Sequence, residues 1–338
     1  MLVIRRANRE DIPGIMEFID LYWKKNHICA VSPEFFEWMY CDKGQVNFNI
    51  AVDEDTKEIW GINGFVCYNS EENPDVSGTL WKARKTEENI VLGIDLGNFL
   101  KSVTQYNHNF SVGVSTRAFR MEKLRGKKVA ELKRYYMLNP KSEYQIARIR
   151  QIPQIAPDVV DSCFEGISDM TEFKDWINEK DLRENIPYKD YAYIGHRYFG
   201  HPVYRYQMLG LCVEGQRRKG IFVGRTVEQN GTCIFKIVDF FGRDKEIGSC
   251  HLAMDKWMRE NDFEYIDFYE YGISDIYMEK AGFTLLEDDT NIIPNYFEPF
   301  VQSNVRIPIV LCEGDNLHIY RGDADQDRPS LLGKRRDI

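Results

Sequence analysis

The sequence predicts the same order of secondary-structure elements in two parts of the chain. In each copy an apolar strand is followed by a glycine-marked helix, a second strand and a short helix with the letters Met-Glu-Lys. These elements begin near residues 79, 93, 110 and 121 in the first copy and near 233, 248, 265 and 278 in the second. The offset drifts only from 154 residues at Trp81 and Phe235 to 157 at Met121 and Met278, which short loop insertions explain. A duplicated α/β unit predicts two similar domains, and the cleft between them is the natural place for a site.

The length of 338 residues also favours two cores over one. Further predicted elements precede each copy. Before the first copy we predict a strand at 2–5, helices from residues 12 and 33, and antiparallel strands at 48–52 and 60–68. Before the second copy we predict strands at 204–212 and 221–225. We therefore predict a first domain over 1–140, a connector with the opening helices of the second domain over 141–190, the second domain over 191–330, and a disordered end at 331–338.

Composition excludes several classes of function. The net charge of −9 argues against a nucleic-acid-binding protein, which usually carries a basic surface. No two of the eight cysteines lie closer than 12 positions, so no Cys-x-x-Cys pair is available for zinc or redox chemistry. No stretch resembles a signal peptide, and no apolar run approaches the ~18 residues that span a bilayer. We expect a cytoplasmic protein with reduced thiols, no metal site and no membrane partner.

The order of elements resembles the N-acetyltransferase-like (GNAT) superfamily. This resemblance implies an α/β fold (α+β by some schemes) of two tandem domains, each a mixed central sheet flanked by helices. It also implies that acyl-CoA lies in a V between two splayed parallel strands, with its pyrophosphate at a helix start, where the helix dipole favours an anion. Gly93 occupies that helix start, and Trp81, Lys82 and Ala83 lie on the strand before it.

Two departures from the superfamily pattern are visible. The family's phosphate loop has the form Gln/Arg-x-x-Gly-x-Gly/Ala, and here Ile90 and Asp95 stand at its outer positions. Gly93 therefore has a second interpretation, as a glycine that lets the helix pack closely on the sheet. The superfamily's tyrosine acid is also missing, because Met121 and Met278 occupy its place. CoA thiolate leaves readily near neutral pH, so an enzyme of this fold tolerates that loss.

Five further motifs resemble a narrower group. They are Trp81-Lys82, His201-Pro202-Val203-Tyr204, Asp267-Phe268-Tyr269-x-Tyr271-Gly272, Asn295-Tyr296-Phe297-Glu298-Pro299-Phe300, and Gly322-Asp323-x-Asp325-Gln326-Asp327-Arg328-Pro329. Together they are similar to bacterial double-domain proteins of surface-polysaccharide and lipopolysaccharide synthesis. The greatest similarity is to N-acyltransferases of dTDP-linked 3-amino-3,6-dideoxyhexoses. The resemblance implies acyl-CoA as a co-substrate, with no tightly bound cofactor, and a nucleotide-linked amino sugar as its acceptor.

The C-terminal motifs contain groups suited to such an acceptor. Arg321 and Arg328 offer guanidinium groups to a diphosphate. Asp323, Asp325 and Asp327 offer carboxylates to ribose hydroxyls and the base, and Tyr296 offers a ring for stacking; we add Tyr204 and Asn295 from the neighbouring motifs. The run of residues 321–329 is dense in carboxylates, and we predict that it cannot form a core element. A solvated acidic tail and a cation site are the alternatives, although no acidic residue closes a calcium loop after Pro329.

Glu298 and His201 are the candidate catalytic bases. Each also has a structural interpretation: Glu298 as a carboxylate that fixes its loop, and His201 as a turn histidine. We place acyl-CoA on the N-terminal half, with the oxyanion held by a backbone N–H near Lys82 and Ala83, and the sugar nucleotide on the C-terminal half. A tRNA-dependent aminoacyl transferase of similar duplicated fold and a non-catalytic acyltransferase-like binding module are the rival hypotheses.

Overall fold

The computed structural model describes residues 1–84 and 91–330. The predicted disordered end at 331–338 lies outside this range. The described elements of the N-terminal half are β1 (Leu2–Arg6), α1 (Ile12–Phe18), α2 (Ile28–Val31), α3 (Pro33–Tyr40), β2 (Cys41–Asp42), β3 (Gln45–Val46), β4 (Phe48–Asp53), β5 (Ile59–Cys67), β6 (Val76–Ala83), α4 (Leu92–Val103), β7 (Asn109–Val112), α5 (Thr116–Leu124), β8 (Lys128–Glu131) and β9 (Lys133–Leu138).

The rest of the described chain contains β10 (Ser162–Ile167), α6 (Met170–Trp176), α7 (Glu179–Leu182), α8 (Tyr191–Ile194), β11 (Gln207–Val213), β12 (Gln216–Gln229), β13 (Thr232–Gly242), α9 (Asp244–Ile247), α10 (His251–Glu260), β14 (Tyr265–Tyr271), α11 (Asp275–Lys280), β15 (Thr284–Leu285), β16 (Tyr296–Phe297), β17 (Phe300–Val301), β18 (Pro308–Leu311) and β19 (Ile319–Tyr320). The two predicted copies of strand, helix, strand and helix are both present, as β6-α4-β7-α5 and as β13-α9/α10-β14-α11.

Local sequence signals explain several of these boundaries. Ser32 caps α3, where its hydroxyl accepts from the Phe35 N–H and Pro33 fits the first turn. Asp169 caps α6 in the same way, with its carboxylate accepting from two backbone N–H groups. The cap at Ser32 places α3 where the sequence predicts it.

Apart from the two-stranded sheets of β2 with β3 and of β16 with β17, the described strands form two large mixed sheets. The first has the order β1-β4-β5-β6-β7-β18-β8, and the second has the order β10-β11-β12-β13-β14-β9-β15, with β19 also paired to β14. Each contains one parallel pair, β6 with β7 and β13 with β14. Helices cover the sheets, and no helix of the described chain is long and apolar enough to cross a membrane.

The two halves exchange strands. β9 precedes the predicted boundary at residue 140 but lies in the second sheet, antiparallel to β14. β18 belongs to the predicted second domain but lies in the first sheet, between β7 and β8. Ile309 of β18 is consequently buried in the same core as residues of α1, α3 and β4, and Ile319 of β19 is buried in that core as well. The C-terminal segment is therefore part of both halves, and the ranges 1–140 and 191–330 remain predicted units.

Candidate functional site

The parallel pair of the N-terminal half opens into an accessible V. β6 and β7 pair only from Val76 with Asn109 to Gly78 with Ser111, and beyond this point the strands separate. Gly78 lies close to the partner strand, since a Cβ at this position would stand 2.9 Å from the Ser111 Oγ. Gly78, Thr79 and Ser111 are all partly exposed. In the described chain no backbone hydrogen bond bridges the separated strands. A ligand can therefore reach the edge of β6.

The corresponding V of the C-terminal half is closed by the chain's own tail. β13 and β14 pair from Phe235 to Ile237 and then separate. β19 fills the gap, because it pairs with the end of β14 and the Gly322 N–H donates to the Val238 carbonyl at 2.7 Å. A Cβ at Gly322 would stand 2.7 Å from that carbonyl oxygen, so only glycine allows this approach. Strand edges that would bind a ligand are already hydrogen-bonded here.

The residues predicted for the acyl donor lie beside the open V. The Trp81 indole N–H donates to the Gly93 carbonyl at 2.8 Å, so the strand and the helix start do meet. Lys82 is exposed and Ala83 is partly exposed. A Cβ at Gly93 would lie 3.8 Å from that of Ala83, an ordinary contact, so close packing does not require glycine here. The predicted loop position Ile90 lies outside the described residues.

The acidic tail is a core element, contrary to our prediction. Asp323, Asp325 and Asp327 are all buried. Each carboxylate is paired with a cation: Asp323 with Lys189 at 2.8 Å, Asp325 with Arg328 at 2.8 Å, and Asp327 with Arg225 at 2.9 Å. The prediction was wrong because it considered the carboxylates without partners from distant elements.

Asp327 is the most fully engaged of the three carboxylates. Both its oxygens accept from the Arg225 guanidinium at 2.9 Å, and the Tyr206 hydroxyl donates at 2.8 Å. Burial by itself raises the pKa of Asp327, but the charge and hydrogen bonds of Arg225 more than offset this and hold the pKa well below the ordinary range. Arg321 lies 3.6 Å from the same carboxylate. This cluster holds the tail against the second sheet.

Sequence reasoning missed the cations of this cluster. Arg225 and Lys236 each lie within an apolar run of a strand, and Lys236, Lys189 and Arg197 are buried. A charge inside an apolar run is the signal that could have found them, since such a residue needs a buried partner.

The second part of the tail lies near the open V. The Ala324 N–H donates to the Tyr68 hydroxyl at 2.8 Å, and the Gln326 side chain lies directly against Gly113, just beyond β7. Arg328 lies 2.8 Å from the His27 Nε2 and 5.7 Å from the Trp23 ring. Of the predicted acceptor residues, Arg328 is thus close to the acyl-donor side of the molecule.

The hairpin of β16 and β17 contains Tyr296 and Glu298, and Asn295 directly precedes it. Tyr296 is 45% exposed, whereas Asn295 is buried and accepts from the Lys236 ammonium through its backbone and side-chain oxygens at 3.1 and 3.0 Å. Glu298 is partly exposed, and its carboxylate accepts from the Ser330 N–H at 3.2 Å. Tyr204 belongs to a different segment of the chain, and its ring lies under the Arg225 guanidinium at 3.9 Å.

His201 lacks the properties of a base. It is buried, and its Nδ1 already accepts from the Val203 and Tyr204 N–H groups at 3.1 and 2.9 Å. Burial and the nearby Arg197 charge lower the pKa of His201 to about 2. The ring is therefore neutral and its one lone pair is occupied. This geometry fits the turn histidine and not the predicted catalytic role.

Groups of three or more ligand side chains placed for a metal ion are absent from residues 1–84 and 91–330.

Comparisons of sequence find no matching family model and no matching curated protein. Similar solved structures do exist. A GCN5-related N-acetyltransferase from Anabaena variabilis matches with a TM-score of 0.51 at 9% identity, over 91% of this chain and 72% of that one.

Two further matches cover most of both chains. One is a GCN5-related N-acetyltransferase from Sphaerobacter thermophilus, with a TM-score of 0.44, 12% identity, and coverage of 92% of this chain and 95% of that one. The other is Saccharomyces cerevisiae N-myristoyltransferase with bound myristoyl-CoA, with a TM-score of 0.47, 9% identity, and coverage of 93% and 80%. The match to the Anabaena protein confirms the predicted fold class: the chain has the fold of the GCN5-related N-acetyltransferases.

Proposed function

We propose that the protein is an N-acyltransferase that binds acyl-CoA in the V between β6 and β7. One observation carries this proposal: the N-terminal V is open along Gly78, Thr79 and Ser111, whereas the tail closes the C-terminal V. The acyl chain and pantetheine of acyl-CoA need an accessible strand edge with free backbone groups. The N-terminal half provides that edge, beside Trp81, Lys82 and Ala83.

The acceptor we propose is the amino group of a nucleotide-linked amino sugar, with a dTDP-linked 3-amino-3,6-dideoxyhexose as the specific candidate. Tyr296 supports this choice, because its exposed ring is available to stack on a base. Arg328 supports it too, as a partly exposed cationic side chain near the open V. Asp327 and Arg321 are buried against each other, and we assign them the role of holding the tail in place.

The chemistry requires little from the protein beyond positioning. The neutral amine attacks the thioester carbonyl, the new C–N bond forms, the C–S bond breaks, and CoA leaves as its thiolate. We propose that Glu298, directly or through water, takes the proton that the amine loses. A backbone N–H near Lys82 and Ala83 is proposed to hold the oxyanion, and holding the two substrates together contributes most of the acceleration.

The test is release of free thiol from acetyl-CoA and longer acyl-CoA donors in the presence of a panel of nucleotide-linked amino sugars. Ser111→Phe should fill the V and abolish release, while Ser142→Phe at an exposed position should leave it unchanged. Glu298→Gln should lower kcat by roughly 10²-fold or more if this carboxylate is the base. Thermal melts check that each variant is folded.

Three outcomes would count against the proposal. Absence of thiol release with every donor and acceptor would favour the non-catalytic binding module. Transfer from charged tRNA without use of acyl-CoA would favour the aminoacyl transferase. Full activity in a folded Ser111→Phe variant would show that the donor does not lie in the N-terminal V.

A further inference from the structure

A cavity of about 560 Å³ lies at the mouth of the closed C-terminal V. Its walls are the end of β13, the turn into α9, part of β12, residues 176–189, and the tail from Asn316 to Tyr320. This volume is within the range of small-molecule sites. None of the residues predicted from sequence for substrate or acyl-donor binding lines this cavity. The cavity is therefore separate from the site proposed for acyl transfer.

Most of the charges in the cavity wall neutralise each other. The Lys189 ammonium donates to Asp239 at 2.7 Å, and His318 lies 2.9 Å from Asp244. Arg243 and Lys219 differ, since neither forms an ion pair with any residue of the described chain. These two cations are available to an anion that enters the cavity, and a diphosphate takes two positive charges well.

Hydrogen-bond acceptors line the same cavity. Asp181 and Glu184 form no ion pair with the described residues, although the Asn178 side chain donates to Asp181 at 2.6 Å. Carboxylates without a cationic partner repel a simple anion such as sulfate, but they accept readily from sugar hydroxyls. The combination of unpaired cations and unpaired carboxylates therefore favours a ligand with both phosphates and hydroxyl groups.

The inner wall limits the shape of this ligand. Tyr320 is 2% exposed, its ring lines the cavity, and its hydroxyl has no hydrogen-bond partner in the described chain. Residues 319–322 occupy the slot between β13 and β14, so a long arm cannot thread between these strands. Trp176 and Phe241 add apolar surface against which a base can pack.

We propose that this cavity binds a nucleoside diphosphate, as a ligand site distinct from the acyl-donor V. Arg243 and Lys219 hold the diphosphate, and Asp181 and Glu184 accept from the ribose hydroxyls. The closed slot excludes a ligand whose binding depends on a pantetheine arm. This inference does not depend on acyl transfer, because it uses no residue of the N-terminal V.

Isothermal titration calorimetry of the full chain with dTDP, ADP and inorganic pyrophosphate tests the proposal. We expect both nucleotides to bind more tightly than pyrophosphate. The double variant Arg243→Ala/Lys219→Ala should raise the nucleotide Kd by about tenfold or more, since both cations that contact the diphosphate are removed and a tenfold change in Kd corresponds to about 1.4 kcal/mol. The matched double variant Lys101→Ala/Lys127→Ala removes two exposed cations from the N-terminal half and should leave the Kd unchanged.

Several results would overturn the proposal. Wild-type protein that binds neither nucleotide at millimolar concentration has no such site. An unchanged nucleotide Kd in the folded Arg243→Ala/Lys219→Ala variant would place nucleotide binding elsewhere, for example at the tail. Equal affinity for pyrophosphate and the nucleotides would show that the cavity recognises the phosphates alone.

Discussion

The substitution Asp327→Asn separates a structural role of the tail from a substrate-binding role. The Asp327 side chain is fully buried and receives two hydrogen bonds from Arg225 and one from Tyr206. Asparagine keeps one acceptor oxygen but turns an NH₂ group toward the guanidinium, so Arg225 is left as a buried charge without a counterion. Removing one partner of a buried ion pair costs about 3–5 kcal/mol, a large part of the ~5–15 kcal/mol that stabilises a typical domain.

Urea denaturation followed by tryptophan fluorescence measures this loss. Asp262→Asn is the matched control, because Asp262 is 83% exposed in its ion pair with Lys141 and its loss should cost no more than about 1 kcal/mol. The pKa of Asp327 is depressed in the folded state, so its contribution is fully present above about pH 4 and declines as pH falls below that value. The difference in the free energy of unfolding between Asp327→Asn and wild type should therefore decrease as the pH falls below about 4. If Asp327→Asn costs less than about 1 kcal/mol at pH 7 and instead raises the KM for the nucleotide sugar, the structural reasoning is refuted.

Three further predictions concern individual side chains. Burial raises the pKa of Glu270 to about 8, so the folded protein binds a proton that the unfolded chain loses near pH 4, and stability falls as pH rises between these values. Glu270→Gln should therefore raise the melting temperature at pH 8.5 and leave it unchanged at pH 4, and an equal effect at both pH values would contradict this. His201→Asn should keep the shape of the pH-rate profile, because His201 is neutral across the assay range. If one limb of the profile were lost, His201 would be a catalytic base after all. Gly272→Ala should cost more than about 2 kcal/mol in urea denaturation, because φ is +121° and the new Cβ would stand 2.0 Å from the Leu317 carbonyl oxygen, whereas Gly126→Ala, at φ +81° with open space around it, should cost only about 1 kcal/mol.

The repeated elements could be predicted because their signals are local. Apolar runs define β6 and β13, and Ser32 and Pro33 mark the start of α3 within a few neighbouring residues. The exchange of β9 and β18 could not be predicted in this way. Both strands are short, and nothing within Lys133–Leu138 or Pro308–Leu311 indicates which of the two sheets will pair with them. Strand pairing over such sequence separations depends on the whole fold.

In the candidate site, too, local contacts could be predicted from the sequence and contacts between distant segments could not. Trp81 and Gly93 are 12 residues apart, and the strand–helix connection that brings them together could be predicted. Asp327 and its partner Arg225 are 102 residues apart, so the acidic run considered alone does not predict a core element. A carboxylate that is buried needs a cationic or hydrogen-bonding partner, but the local sequence does not predict which distant residue provides it.

The tail also explains why a duplicated fold need not have two equivalent sites. Each half builds the same V, but residues 319–322 complete the sheet in only one of them. The tail can do this because Gly322 lets its backbone approach Val238 and because the Lys189 ammonium, which also pairs with Asp239, lies 2.8 Å from Asp323. The same segment continues to Gln326 and Arg328 beside the open V. Closing one V and lining the other are thus two consequences of a single path of the chain, so the asymmetry between the halves requires no large divergence of their sheets.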